Sequence, residues 1–129
     1  MMDVKGLLKR AADDYAPALG ELNSEVNQKA FAKGSAFSEV RVTNSSPYKT
    51  VRDAMIDEGD VLLDDEDGGT VLAMIKGGLG GMAPVLLAAV VSSEGVISIG
   101  AYSKEGLIPQ HASQRAIDSF EKRLRDFSN

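Results

Sequence analysis

The chain has 129 residues, 43% of them hydrophobic and 26% charged, which suits one folded domain and excludes global disorder. It contains no cysteine, so disulfide frameworks, thiolate zinc sites and cysteine nucleophiles are excluded. A formal net charge of −5, from 14 basic and 19 acidic residues, argues against sequence-independent nucleic-acid binding, which needs Lys and Arg against phosphate.

Residues Met1 to Arg10 are interrupted by charge every few positions and leave no apolar stretch for a signal peptide. The most apolar stretch, Gly77 to Val91, has fifteen residues, four glycines and Pro84. A spanning helix needs roughly 20 apolar residues. A cytoplasmic protein without a membrane partner is therefore expected.

Residues 4–33 read as helical. Leu8, Ala11, Tyr15, Ala18, Leu22, Val26 and Ala30 recur at spacings of three and four and form one apolar stripe. Pro17 interrupts it, giving two helices or one bent helix. Asn23 or Ser24 could cap a second segment that ends at Gly34. A stripe wider than one small sheet can cover would also serve a homodimer.

Phe37 to Thr43 reads as a strand. Ser46-Pro47 is a helix start, with a capping hydroxyl and Pro at the first helical position. That helix places Tyr48, Val51 and Met55 on one face and should stop at Gly59. Val61 to Leu63 is a short strand, and Asp64 to Gly69 a turn. Thr70 to Lys76, Pro84 to Ser92 and Val96 to Tyr102 are β runs joined by short glycine-containing links, which implies antiparallel neighbours. Val85 to Val91 has no polar alternation, so it belongs at the sheet centre. Pro109 opens a last helix, with Ala116, Ile117, Phe120, Leu124 and Phe127 on its apolar side.

The order α-β-α-β-β-β-β-α predicts an α+β fold: an antiparallel sheet of four to five strands flanked by N-terminal and C-terminal helices. Residues 1–129 form one domain, helical over 1–34, with the sheet and closing helix over 35–129.

The strongest anomaly is acidic. Asp53, Asp57, Glu58, Asp60, Asp64, Asp65, Glu66 and Asp67 fall within fifteen residues that hold no Lys or Arg. The rest of the chain carries 11 acidic and all 14 basic residues, so the net negative charge is local to this stretch. Crowded like charges repel, and acids at a helix C-terminus oppose its macrodipole. Such an arrangement suits a partner protein with a basic surface, docked at Asp57, Glu58, Asp60, Asp64, Asp65, Glu66 and Asp67. The bland alternative is a solvated turn. The spacing is not that of an EF-hand, because the fifth loop position from Asp64 is Gly68 and no bidentate Glu follows.

Lys76, Gly77, Gly78, Gly80 and Gly81 suggest a phosphate cradle. An apolar strand follows them, however, where a cradle needs a helix N-terminus. His111 is the one histidine, without a nucleophile-elbow motif or a thiolate to complete a zinc set. These six residues would serve a small-ligand or enzymatic domain. No metal and no cofactor are expected.

Val96 to Tyr102, then Pro109 and a closing helix, with the glycine-rich hairpin before them, are similar in pattern to the end of profilins, over roughly the last half of the chain. The N-terminal part departs from that family, with no Trp and no aromatic pair for polyproline. The resemblance implies a shared α+β arrangement. Small acidic secretion chaperones and toxin-neutralising immunity proteins are similar in size and charge. The expected function is thus a noncatalytic protein-binding domain of immunity, chaperone or adaptor type. A ligand-binding or enzymatic domain and a homo-oligomeric structural component are the alternatives.

Overall fold

The computed structural model describes residues 3–21, 25–76, 83–104 and 111–127. These residues form α1 (Val4–Asp14), α2 (Gln28–Gly34), β1 (Ser35–Arg41), α3 (Pro47–Glu58), β2 (Asp60–Asp65), β3 (Thr70–Ile75), β4 (Val85–Val91), β5 (Val96–Tyr102) and α4 (Ala112–Phe127). The protein is α+β. Its five strands make one antiparallel sheet in the order β1-β5-β4-β3-β2.

The N-terminal segment forms two helices. Asp3 caps α1 by accepting from the Gly6 amide at 2.7 Å. The helix ends at Asp14, just before Pro17, which has no N–H to continue the ladder. Ala16 and Leu19 are buried in the turns that follow. Asp13 ties this connection down, because its carboxylate accepts from the Val26 amide at 2.8 Å and pairs with Lys9 at 2.8 Å. The cap of α2 is Asn27, which accepts from Ala30 at 2.8 Å. Asn23 and Ser24 lie outside the described residues. Gly34 closes α2 as expected, and the reason is steric. A Cβ there would lie 2.1 Å from the Ser103 carbonyl oxygen. The close approach lets Ser103 N–H donate to the Gly34 carbonyl at 3.1 Å, and Ser113 Oγ donates to the same carbonyl at 2.5 Å.

The start of α3 is at Ser46-Pro47, but the Ser46 hydroxyl makes no capping bond. Asn44 organises the turn, accepting from the Ser46 amide at 3.1 Å and donating to Thr50 Oγ1 at 2.7 Å. The strand expected over 37–43 runs from Ser35 to Arg41, and Lys76 lies just beyond β3. Pro109 is outside the described residues, and the described part of α4 begins at Ala112. Phe127 is not part of the apolar stripe of α4. It is 42% exposed.

Alternation along the strands gives the sheet two apolar faces. One face carries Val71, Ala73, Leu87, Ala89, Ile97 and Ile99, and α3 and α4 cover it with Val51, Met55, Ile117, Phe120 and Leu124. The other carries Leu72, Met74, Leu86, Ala88, Val90 and Tyr102. There α1 packs Leu7, Leu8, Ala11 and Ala12 across β4 and β5, and α2 stacks Phe31 on Tyr102 with ring centroids 5.6 Å apart. Strand β4 is the middle strand, buried along its length apart from partly buried Val91, as its unbroken apolar run requires.

Candidate functional site

The fold divides the acidic stretch into two groups. Asp53 is paired along α3 with Lys49 at 2.8 Å. Asp57 and Glu58 close the C-terminal turn of α3, where negative charge is unfavourable against the helix dipole. Arg123 of α4 reaches across to both, with Nη1 2.6 Å from Asp57 and Nε 2.7 Å from Glu58. The Ser119 hydroxyl also donates to Glu58 at 2.8 Å. The Glu58 side chain is only 7% exposed, so this pairing is part of how α3 and α4 join. Asp60 lies 3.6 Å from Lys76 on the surface. Asp64 accepts from the Tyr48 hydroxyl. Burial, together with the hydrogen bond to Asp64 and its charge, pushes the Tyr48 phenol well above its ordinary range, so it remains a donor.

The second group is Asp65, Glu66 and Asp67, at the tip of the β2–β3 hairpin. Their polar contacts are local to the turn. Asp65 accepts from the Gly68 amide at 3.1 Å, and the Glu66 carbonyl accepts from Gly69 at 3.1 Å. Gly69 permits the turn, with φ at 67° and a hypothetical Cβ only 2.6 Å from the Val91 carbonyl oxygen. Among the described residues, no Lys or Arg lies within 4.0 Å of these three carboxylates.

The hairpin tip borders a groove. Strand β2 slips register between Val61 and Leu63, so Val61 faces Ala73 and Leu63 faces Leu72. Such a bulge twists an edge strand and hinders edge-to-edge pairing. Its consequence here is that Leu62 and Leu63, consecutive in sequence, both border the sheet face that carries α1. Leu7 and Ala11 of α1 and Tyr15, its C-cap, form the opposite wall, and Leu72 and Thr70 contribute from β3. Asp65 and Asp67 lie on one rim, Asp14 and Arg10 on the other. The groove has a volume of about 610 Å³, and Leu63 in it is 39% exposed. Apolar surface bounded mainly by carboxylates can bind a group that is apolar in the middle and cationic at its edges.

A second groove of about 790 Å³ runs on the other side of α1, against α2 and β1, with Phe31 and Phe37 beside Asp3, Lys5 and Lys9. It has no acidic excess.

Of the remaining candidates, Lys76 and His111 line neither groove. Gly77, Gly78, Gly80 and Gly81 lie outside the described residues. Lys76 is exposed and faces Asp60. His111 is exposed and precedes α4 with a left-handed φ of 53°, its carbonyl accepting from the Arg115 amide at 3.0 Å. Among the described residues its ring makes no hydrogen bond or ion pair. Ser103 and Ser113, buried near it, bond to each other at 3.2 Å and serve the junction with Gly34. Among the described residues, no three carboxylate or imidazole groups converge to hold a metal ion. None of the described helices is long and apolar enough to cross a membrane.

Asp14, Arg10, Tyr15, Leu62 and Leu63 were absent from the sequence-derived set. The one available signal was the run Val61-Leu62-Leu63, three adjacent apolar residues where alternation would place only the first and third, or the second, on a given face. No protein-family model matches the chain, and no curated protein is significantly similar to it in sequence.

Proposed function

We propose that the protein is a noncatalytic binding domain, acting in the cytoplasm as an immunity, chaperone or adaptor protein, which docks a partner protein through the acidic hairpin tip. The observation that carries this reading is the uncompensated charge at the tip. Among the described residues, Asp53, Asp57, Glu58 and Asp60 each have a cation and Asp65, Glu66 and Asp67 have none. Three adjacent carboxylates repel one another, and their mutual repulsion falls when a basic surface covers them. Asp57 and Glu58 then belong to the scaffold, and the docking residues narrow to Asp65, Glu66 and Asp67, with Asp64 and Asp60 beside them. The partner presents Lys and Arg, and its association rate falls as salt screens the attraction.

The test is capture of partners from the source cell by the wild-type chain and by the variant carrying Asp65→Lys, Glu66→Lys and Asp67→Lys. Circular dichroism confirms that both are folded. The expected result is a basic partner retained by the wild type at low salt, released at high salt, and not retained by the variant. Equal recovery of the same partner by both chains overturns the proposal.

A further inference from the structure

On the face covered by α3 and α4, two helices lie side by side, with α3 over β2 and β3 and α4 over β1, β4 and β5. On the opposite face, α1 lies over β4 and β5. Leu72 and Met74 of β3 are buried on that face, but Leu62 and Leu63 of β2 are not, and the 610 Å³ groove lies against them. One wall is α1 with its C-cap, from Leu7 to Tyr15, a length of about 12 Å at 1.5 Å per residue. The other is the hairpin with its paired leucines. The groove therefore runs beside α1 for roughly two turns, with α1 on one side and the hairpin on the other.

We infer that this trough is the seat of an amphipathic, cationic helix supplied by the partner. The inference rests on the docking function proposed above and specifies what the acidic tip recognises. Charge selects the occupant. Asp14 on the α1 side and Asp65 and Asp67 on the hairpin side face Arg10 as the one lining cation. A helix in the trough places apolar residues at i, i+3, i+4 and i+7 against Leu62, Leu63 and Tyr15, and Lys or Arg on both of its flanks reach the carboxylates. A strand added to the β2 edge is disfavoured, because the bulge breaks the spacing of free backbone groups that an added strand needs. The groove beside Phe37 does not share this selectivity, since Lys5 and Lys9 line it.

The probe is a fluorescent 18-residue peptide of Leu, Ala and Lys with its leucines in one helical stripe. Two controls accompany it: the same composition permuted so that the leucines scatter around the helix, and the same stripe with Gln in place of Lys. Anisotropy titrations against the whole chain are expected to show the striped cationic peptide binding at least tenfold more tightly than either control. Leu63→Ser is expected to weaken it about fivefold. Asp65→Asn with Asp67→Asn should weaken it and flatten its salt dependence. Amide chemical-shift changes should centre on Tyr15, Leu63 and Leu72. Equal binding of the striped and permuted cationic peptides, or shifts centred on Phe31 and Phe37, overturns the helix-in-trough inference and leaves acidic docking standing. Failure of both cationic peptides to bind, or equal binding of the Gln peptide, overturns both.

Discussion

On the sheet face covered by α3 and α4, each carboxylate of the acidic stretch has a partner within the chain: Asp57 and Glu58 have Arg123, and Asp64 has Tyr48. On the face covered by α1, Asp65 and Asp67 have no cation among the described residues, and the apolar surface next to them is left as a groove. Residues of one chemical type, separated by a few positions in the chain, thus have different jobs. Whether a basic side chain from elsewhere in the fold reaches the carboxylate decides the matter. The first group joins α3 to the rest of the fold, and in the proposed reading the second is left for a partner.

Mutations can break this comparison. The largest expected effect is Phe120→Ala, in the fully buried face under α4. It should cost about 3–5 kcal/mol in urea denaturation, whereas Leu63→Ala in the open groove should cost no more than about 1 kcal/mol. Equal costs would mean that the groove is as closed as the core. Next is Arg123→Met, which leaves the nearly buried Glu58 without its cation. A fully buried pair broken in this way costs more than a surface one. With Arg123 itself 40% exposed, the loss should be about 1–2 kcal/mol at neutral pH.

A smaller effect belongs to Asp13. Burial pushes its carboxyl up, but the hydrogen bonds from Lys9 and the Val26 amide, with the Lys9 charge, outweigh that and hold it below the ordinary value. A carboxyl depressed by folding contributes stability that is fully present above its unfolded pKa and is lost as pH falls through the folded one. Asp13→Asn should therefore cost about 1 kcal/mol at pH 7. The gap from wild type should close as pH is lowered below about 4, which urea melts at several pH values will show. Smallest is Tyr48→Phe, which removes one hydrogen bond to an exposed carboxylate and should cost about 0.5–1 kcal/mol.

Much of the fold is legible in the sequence, because local chemistry specifies it. The unalternated run Val85–Val91 marks the central strand, Ser46-Pro47 the start of α3, and Gly59 its end. The errors have local causes as well. The Ser46 hydroxyl makes no cap because Asn44 organises that turn, and Phe127 continues the periodicity of α4 yet is exposed. The candidate site is less legible because it depends on long-range approach. Arg123 is 66 residues from Asp57, so charge counting along the chain treats Asp57 and Glu58 as free. The groove depends on the register slip between Val61 and Leu63, which no composition or periodicity announces.

The central claim is that the hairpin-tip carboxylates serve a partner and the α3 carboxylates serve the fold. It is tested most directly by comparing Asp65→Asn/Glu66→Gln/Asp67→Asn with Asp57→Asn/Glu58→Gln, measuring unfolding free energy and retention of the captured partner on the same samples. The account predicts that the tip variant keeps or slightly gains stability and loses the partner, whereas the α3 variant loses stability and keeps it. A tip variant that unfolds more easily yet still retains the partner would contradict it.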